Sequence, residues 1–283
     1  MFITPMLLQK SDKAFHNAEY ISEMKYDGIR LILSTVDGIH AYTRHETLCT
    51  KQFPELQSVH LPSDSILDGE LIVTNKHGHP DFESIIKRFQ TTNERKIQSF
   101  QVTLPVQYCV FDILRYEGKD LTKLPLIERK AILDEVIEDN EVITRVPYIE
   151  GNGKQLFNLV QQQGLEGIVL KKKDSIYEVG KRSWNWQKVI NYQHYDVVIT
   201  GYRKGEFGLL IGFEDGRPAG LIEFPPPRNV RKALFPIMNQ AKVKEDERFV
   251  YVRPKIRCRV KSRGLTSNGL IRIPVFKEFL FAS

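Results

Sequence analysis

Apolar and polar positions alternate in short runs along most of the chain. ILDGELIV (66–73), QYCVFDIL (107–114) and EGIVLKK (166–172) read as strands, rich in β-branched and aliphatic residues. ERKAILDEVIE (128–138) and KQLFNLVQQQ (154–163) instead carry apolar residues at helical spacing. Strand-like runs outnumber helical ones without a regular strand–helix alternation. The pattern therefore predicts an α+β fold with antiparallel sheets rather than a doubly wound one. Beyond HYDVVITGYRKGEFGLLIGF (194–213), short strands are separated by Gly-rich turns, with one predicted helix at RNVRKALFPIMNQ (228–240). This predicts a second domain, with residues 1–192 in the first and 193–283 in the second.

The second segment has the pattern of a small β-barrel, compatible with an oligonucleotide/oligosaccharide-binding (OB) barrel. Charge sharpens that reading. The chain carries a net charge of +6 over 283 residues, and the stretch from Asn191 to Ser283 has 17 Lys+Arg against 9 Asp+Glu. The rest holds 24 basic and 26 acidic residues, so the positive excess lies in the last third. Within YVRPKIRCRVK, Arg253, Lys255, Arg257, Arg259 and Lys261 occupy every second position. A period of two places them on one strand face, and such a row of like charges suggests phosphates as its counter-charge. A solvated face is the plainer alternative.

A hydrophobic content of 41% suffices for a sizeable core. No apolar run is long enough to span a bilayer, and no secretory signal pattern opens the chain. Cys49, Cys109 and Cys258, odd in number and far apart, fit a reducing cytoplasm without disulfides or zinc.

Candidate chemistry begins at KYDGIR (25–30), between two short strands. Asp27-Gly28 is a tight-turn signal, so Lys25 is expected to precede a hairpin turn and Arg30 to follow it. Alone, a lysine before a turn is an ordinary surface residue. Four further segments change the balance. LDGEL puts Asp68 and Glu70 on one strand face, VFDIL sets Phe111 on the opposite face from Val110 and Asp112, EGIVLKK runs from Glu166 to Lys171, and WQK supplies Lys188. Together they offer a nucleophile, carboxylates for a hard cation, a flat ring and further cations.

KYDGIR, LDGEL, VFD, EGIVLK and WQK, in this order and spacing, resemble the motifs of ATP-dependent DNA ligases. More broadly they resemble covalent nucleotidyltransferases, and the later GLIRIPVF looks closest to small bacterial, phage and end-joining-type ligases. The resemblance covers nearly the whole chain. It implies a nucleotidyltransferase (adenylation) domain followed by an OB-fold domain, with ATP and Mg²⁺ (or Mn²⁺) as cofactors and nicked duplex DNA as partner. It further implies a cytoplasmic monomer of bacterial or phage origin, able to work with a DNA end-binding or repair protein. By the same resemblance, Lys25 forms a lysyl-AMP intermediate and Glu23 lies beside the adenine. Arg30 contacts ribose and nick, Arg44 holds a phosphate, and Glu70 bonds the ribose or metal. Phe111 stacks on the base, Glu166 binds metal, and Lys171 and Lys188 neutralise phosphates. DNA contacts fall to Arg44 and the row Arg253, Lys255, Arg257, Arg259 and Lys261.

A free lysine amine, with a pKa of about 10.4, is neutral in only about one copy in 2,500 at pH 7. The nucleophile must be neutral, so a cluster of cations around it, Arg30, Lys171 and Lys188, is expected. Two features depart from the family pattern. Lys188 is followed by Val189 and Ile190 where a second lysine is usual, and no Arg-x-Asp-Lys sixth motif is read near the end. Without it, either self-adenylylation is slow, or Lys277, Arg272 or another cation substitutes. RNA-end sealing by the same lysine is the alternative reading.

Overall fold

The computed structural model describes residues 1–280, so residues 281–283, which end the segment searched for a sixth motif, lie outside the described residues. The chain divides into two compact units, Met1–Asn191 and Tyr192–Ser283.

The first unit runs β1 (Leu7–Lys10), β2 (Asn17–Met24), β3 (Ile29–Ser34), β4 (His40–Thr43), β5 (Ile66–Val73), α1 (Phe82–Gln90), α2 (Glu94–Thr103), β6 (Val106–Tyr116), β7 (Lys119–Asp120), α3 (Leu126–Val136), β8 (Ile143–Arg145), β9 (Tyr148–Gly151), α4 (Gly153–Gln162), β10 (Gly167–Lys172) and β11 (Arg182–Ile190). Its strands form two sheets, in the orders β1-β11-β10-β2-β9 and β4-β3-β5-β6-β7, with β8 beside β6. Pairing is antiparallel except for β1 with β11 and β6 with β8. Met6, Ile21, Ile32, Ile66, Leu114, Leu126, Tyr177 and Trp186 form the core between the sheets. Helix α4 covers the outer face of the first sheet through Leu156 and Val160, packed on Ile168, Leu170 and Val189. Ile85 of α1 and Leu133 of α3 join the core on the outer face of the second sheet.

Asp81 and Asn93 start α1 and α2 by accepting the backbone N–H groups of Ser84 and Lys96, each at 3.1 Å. The expected strands and helices form, but Asp27-Gly28 is not a hairpin turn. β2 lies in one sheet and β3 in the other, so the segment carrying Lys25 crosses between them. Gly28 is required there. A Cβ would lie 2.3 Å from the Leu71 carbonyl oxygen.

The second unit contains β12 (Gln193–Arg203), β13 (Leu209–Gly212), β14 (Pro218–Ile222), α5 (Arg228–Gln240), β15 (Lys242–Glu245), β16 (Phe249–Ser262) and β17 (Val275–Leu280). The sheet order is β14-β13-β12-β16-β15, and β17 pairs with β16. Leu234 and Met238 of α5 pack into its core. Ile199 pairs with Ile256 but Gly201 with Tyr251, so residues 252–255 form a wide irregularity opposite Thr200. Pro254, which lacks a ladder N–H, sits in that break. The period of two holds from Ile256 to Ser262, whereas Arg253, Pro254 and Lys255 are all exposed.

The basic row also has nearer counter-charges than phosphate. Arg259 donates two hydrogen bonds to Asp196 directly across on β12, at 2.7 and 2.9 Å, and Arg257 pairs with Glu214 at 2.5 Å. Lys261 lies 4.7 Å from the Tyr192 ring centroid. Pairing through neighbouring strands was invisible to a reading of one strand at a time. Arg253 and Lys255 have no ion pair among the described residues.

Candidate active site

The facing surfaces of the two sheets build one small cavity in the first unit. Its wall includes Glu23, Lys25, Arg30, Glu70, Phe111, Val169, Lys171 and Trp186, from six strands and the crossing segment. Register explains the convergence. Glu23 and Lys188 both lie directly across from Val169, so the three share a face of the first sheet, and Lys171 lies across from Trp186. On the second sheet, Arg30 pairs with Glu70 and Glu70 with Cys109.

Phe111 reaches the cavity through a β-bulge. Asp68 pairs with Asp112 and Gly69 with Val110, leaving Phe111 as the extra residue. Strict alternation, which would set Phe111 and Asp112 on opposite faces, is broken here. Phe111 lines the cavity while Asp112, level with Asp68, receives Arg129 from α3. Gly69 lets the bulge close, because a Cβ would stand 2.6 Å from the Tyr108 ring.

Lys25 donates from Nζ to Glu166 Oε2 at 2.8 Å, and its backbone N–H donates to the Gly167 carbonyl at 2.9 Å. The nucleophile candidate is thus held by a carboxylate 141 positions away, itself buried. Glu70 Oε1 accepts the Gly28 N–H at 3.2 Å, fixing the crossing segment from the other side. Burial pushes the Glu70 carboxyl up to about 7, against the pull of Lys25. Arg30 donates from Nε and Nη2 to Asp68 at 3.0 and 2.6 Å, and from Nη1 to the Met6 carbonyl at 2.7 Å. The Tyr177 hydroxyl donates to the same Asp68 at 2.6 Å.

Three of the lysine and arginine cations at the site stand with carboxylates. Lys25 is paired with Glu166, Arg30 with Asp68, and Lys171 with Glu23 at 2.6 Å. Cations buried among apolar residues need such partners, and a linear sequence does not display them. Lys171 also lies 4.2 Å from the ring centroids of both Phe111 and Trp186. Burial lowers its amine to about 8, against the pull of Glu23.

Two expected residues stand apart. Lys188 is half-buried on the face of Glu23 and Val169 but outside the cavity wall. Arg44 lies on an exposed loop, donating from Nε to His45 at 3.0 Å. Other residues escaped the sequence reading. Lys130 of α3 forms a second, very short ion pair with Glu23, and neighbouring Arg129 is buried against Asp112. Adjacent charges in a helix read as solvent-facing, and nothing in the sequence separates these from ordinary surface charges.

Among the described residues, no group of three or more His, Cys, Asp or Glu side chains is poised around a metal. Glu70 and Glu166 nevertheless suit Mg²⁺, which typically takes one or two carboxylates, several waters and substrate phosphates. No helix among the described residues is long and apolar enough to cross a membrane.

Comparison with known proteins bears on this cavity. Residues 5–189 match the family model of the ATP dependent DNA ligase domain. The chain is 41% identical over 280 residues to the SPbeta prophage-derived DNA ligase-like protein LigB of Bacillus subtilis (strain 168), covering 99% of both. It is 28% identical to the multifunctional non-homologous end joining protein LigD of Mycolicibacterium smegmatis, covering 96% of this chain but 38% of LigD. The fold is similar to that of a solved Lig E DNA ligase, with a TM-score of 0.71, 16% identity and coverage of 99% of this chain and 100% of the other. The ligase domain of M. tuberculosis LigD gives a TM-score of 0.58 at 22% identity, covering 98% of this chain and 95% of that one. With the match across the first unit and the identity to LigB along nearly its full length, this chain belongs to the ATP-dependent DNA ligase family.

Proposed function

We propose that this ATP-dependent DNA ligase seals nicks through a covalent AMP adduct on Lys25. The observation that carries the assignment is the Lys25–Glu166 hydrogen bond at 2.8 Å on the wall of a cavity that also bears Glu23, Glu70, Phe111 and Lys171. In the first step the neutral Nζ attacks the α-phosphorus of ATP. An N–P bond forms, the bond to the β-phosphate oxygen breaks, and pyrophosphate leaves. The amine proton departs along the hydrogen bond towards Glu166 Oε2. AMP then passes to the 5′-phosphate of a nick, releasing the amine, and the adjacent 3′-hydroxyl displaces AMP to close the strand.

Phe111 offers its ring to the base, and Glu23 is placed for the base's amino group. Arg30, anchored by Asp68, is held rigid toward the ribose side. Lys171 and Lys188 are assigned to the phosphates. Glu70 and Glu166 would hold Mg²⁺, which when bound neutralises phosphate charge. Without a sixth motif in the sequence, slow self-adenylylation is expected unless another cation substitutes.

The second unit is read as an OB-fold. In support, its strand order places β14, β13, β12, β16 and β17 side by side, with α5 between the third and fourth of these in sequence. The Ile271 N–H donates to the Ala219 carbonyl of β14 at 2.8 Å, joining the segment before β17 to the far edge. Its basic strand would grip duplex phosphates with little sequence preference.

ATP-dependent joining of a singly nicked DNA duplex tests this function, with a nick in an RNA strand as control. Joining is expected on DNA, and equal or better joining of RNA would redirect the substrate assignment. Exposed Arg253 and Lys255 supply the salt test. Replacing either with Ala should weaken duplex binding and lower the log–log salt slope by about one.

A further inference from the structure

The base site is closed in this structure by one of the protein's own side chains. The cavity measures about 50 Å³, far below the roughly 300–1,000 Å³ of ligand sites. The Lys171 ammonium stands on its wall, equidistant at 4.2 Å from the Phe111 and Trp186 ring centroids and only 2% exposed. A planar base stacked where Lys171 now covers the Phe111 ring would take this position, and Lys171 would swing away as the nucleotide enters.

That displacement would strip Glu23 of one partner. Glu23 is 2% exposed, and a buried carboxylate without a counter-charge is strongly disfavoured. Its two oxygens are held from different sides. Lys171, on the cavity wall, pairs with Oε2, whereas Lys130, which is not on the wall, pairs with Oε1. Lys130 cannot follow Lys171 out. Helix α3 is pinned by the N–H groups of Leu126 and Ile127, donating to the carbonyls of Ser175 and Lys173 at 2.9 and 3.0 Å. It is pinned again by buried Arg129 on Asp112.

We propose that Lys130 is a positioning residue for base recognition, holding Glu23 in place when Lys171 yields its position to the base. Glu23 Oε2, vacated by Lys171, then accepts the exocyclic amino group of adenine while Oε1 stays on Lys130. The inference rests on the nucleotide reading of this cavity. It accounts for two lysines on one buried carboxylate, one fixed and one exchangeable. Loss of Lys130 would leave Lys171 as the only cation on Glu23 and tie it to the base site.

Self-adenylylation of the full chain tests this, using ATP and inosine triphosphate, which has a carbonyl in place of the amino group. Wild type should prefer ATP. Lys130→Met should raise the KM for ATP by about 10-fold or more, leave kcat within about threefold, and bring the ATP preference near unity. Lys130→Arg, which keeps the charge, should restore most of the preference. Lys130→Gln is carried alongside should the methionine variant fail to fold, with the same loss of preference expected. A folded neutral variant whose KM and preference stay within about twofold of wild type overturns the proposal. Wild type that takes no label from ATP removes the nucleotide reading itself, and this inference with it.

Discussion

Replacing Arg129 with Met should cost the fold about 3–5 kcal/mol, measured by equilibrium unfolding of the full chain in urea. Arg129 and Asp112 are fully buried and joined by two hydrogen bonds of 2.8 Å. Arg129 Nη1 also donates to the Leu124 and Ser175 carbonyls, at 2.5 and 3.1 Å. Met conserves much of the volume but leaves a carboxylate charge inside the protein, with the Ile113 N–H at 2.9 Å as its remaining donor. Removing the charge as well, in Arg129→Met with Asp112→Leu, should recover most of the loss, because buried pairs owe little net stability to their charges. A cost below about 1 kcal/mol for the single change would show that Asp112 is rescued by water or a proton. The consequence reaches the cavity, since α3 carries Lys130 and the bulged strand carries Phe111.

The second large effect is on catalysis. Glu166→Gln should slow self-adenylylation by about 10²–10³-fold, read in single-turnover reactions, while leaving unfolding nearly unchanged. Glutamine keeps the size and can still accept from the Lys25 amine. It removes the charge that draws off the amine proton and one of two carboxylates suited to Mg²⁺. A loss smaller than about threefold would reduce Glu166 to a tether for Lys25. A parallel loss in stability would make it a structural partner.

Much of this site was legible because its chemistry-bearing residues sit in short, ordered segments on strands. Lys25, Glu70, Phe111, Glu166 and Lys171 are picked out by ordered motifs that resemble those of the ligase family, and they lie on one cavity wall or its immediate hydrogen bonds. What escaped reading depends on partners distant in sequence. Arg30 is bound to Asp68 38 positions away, and Arg259 meets Asp196 63 positions away, so charges that look bare in the sequence are paired in the fold. The bulge at Phe111 is a register event between two strands, which neither strand announces by itself. Lys130 and Arg129 sit next to each other on α3 like solvated charges, yet the helix meets carboxylates from two different sheets. Asp27-Gly28 has the chemistry of a hairpin turn, and only the separate sheet membership of β2 and β3 shows that it is a crossing.

Covalent attachment of AMP to Lys25 is tested by incubating wild type and Lys25→Ala with α-labelled ATP and Mg²⁺, followed by a denaturing gel, with GTP and NAD as controls. Wild type should carry a covalent label from ATP alone and Lys25→Ala none, while Lys25→Ala still closes a pre-adenylylated nick. Label persisting on Lys25→Ala would contradict the assignment of the nucleophile.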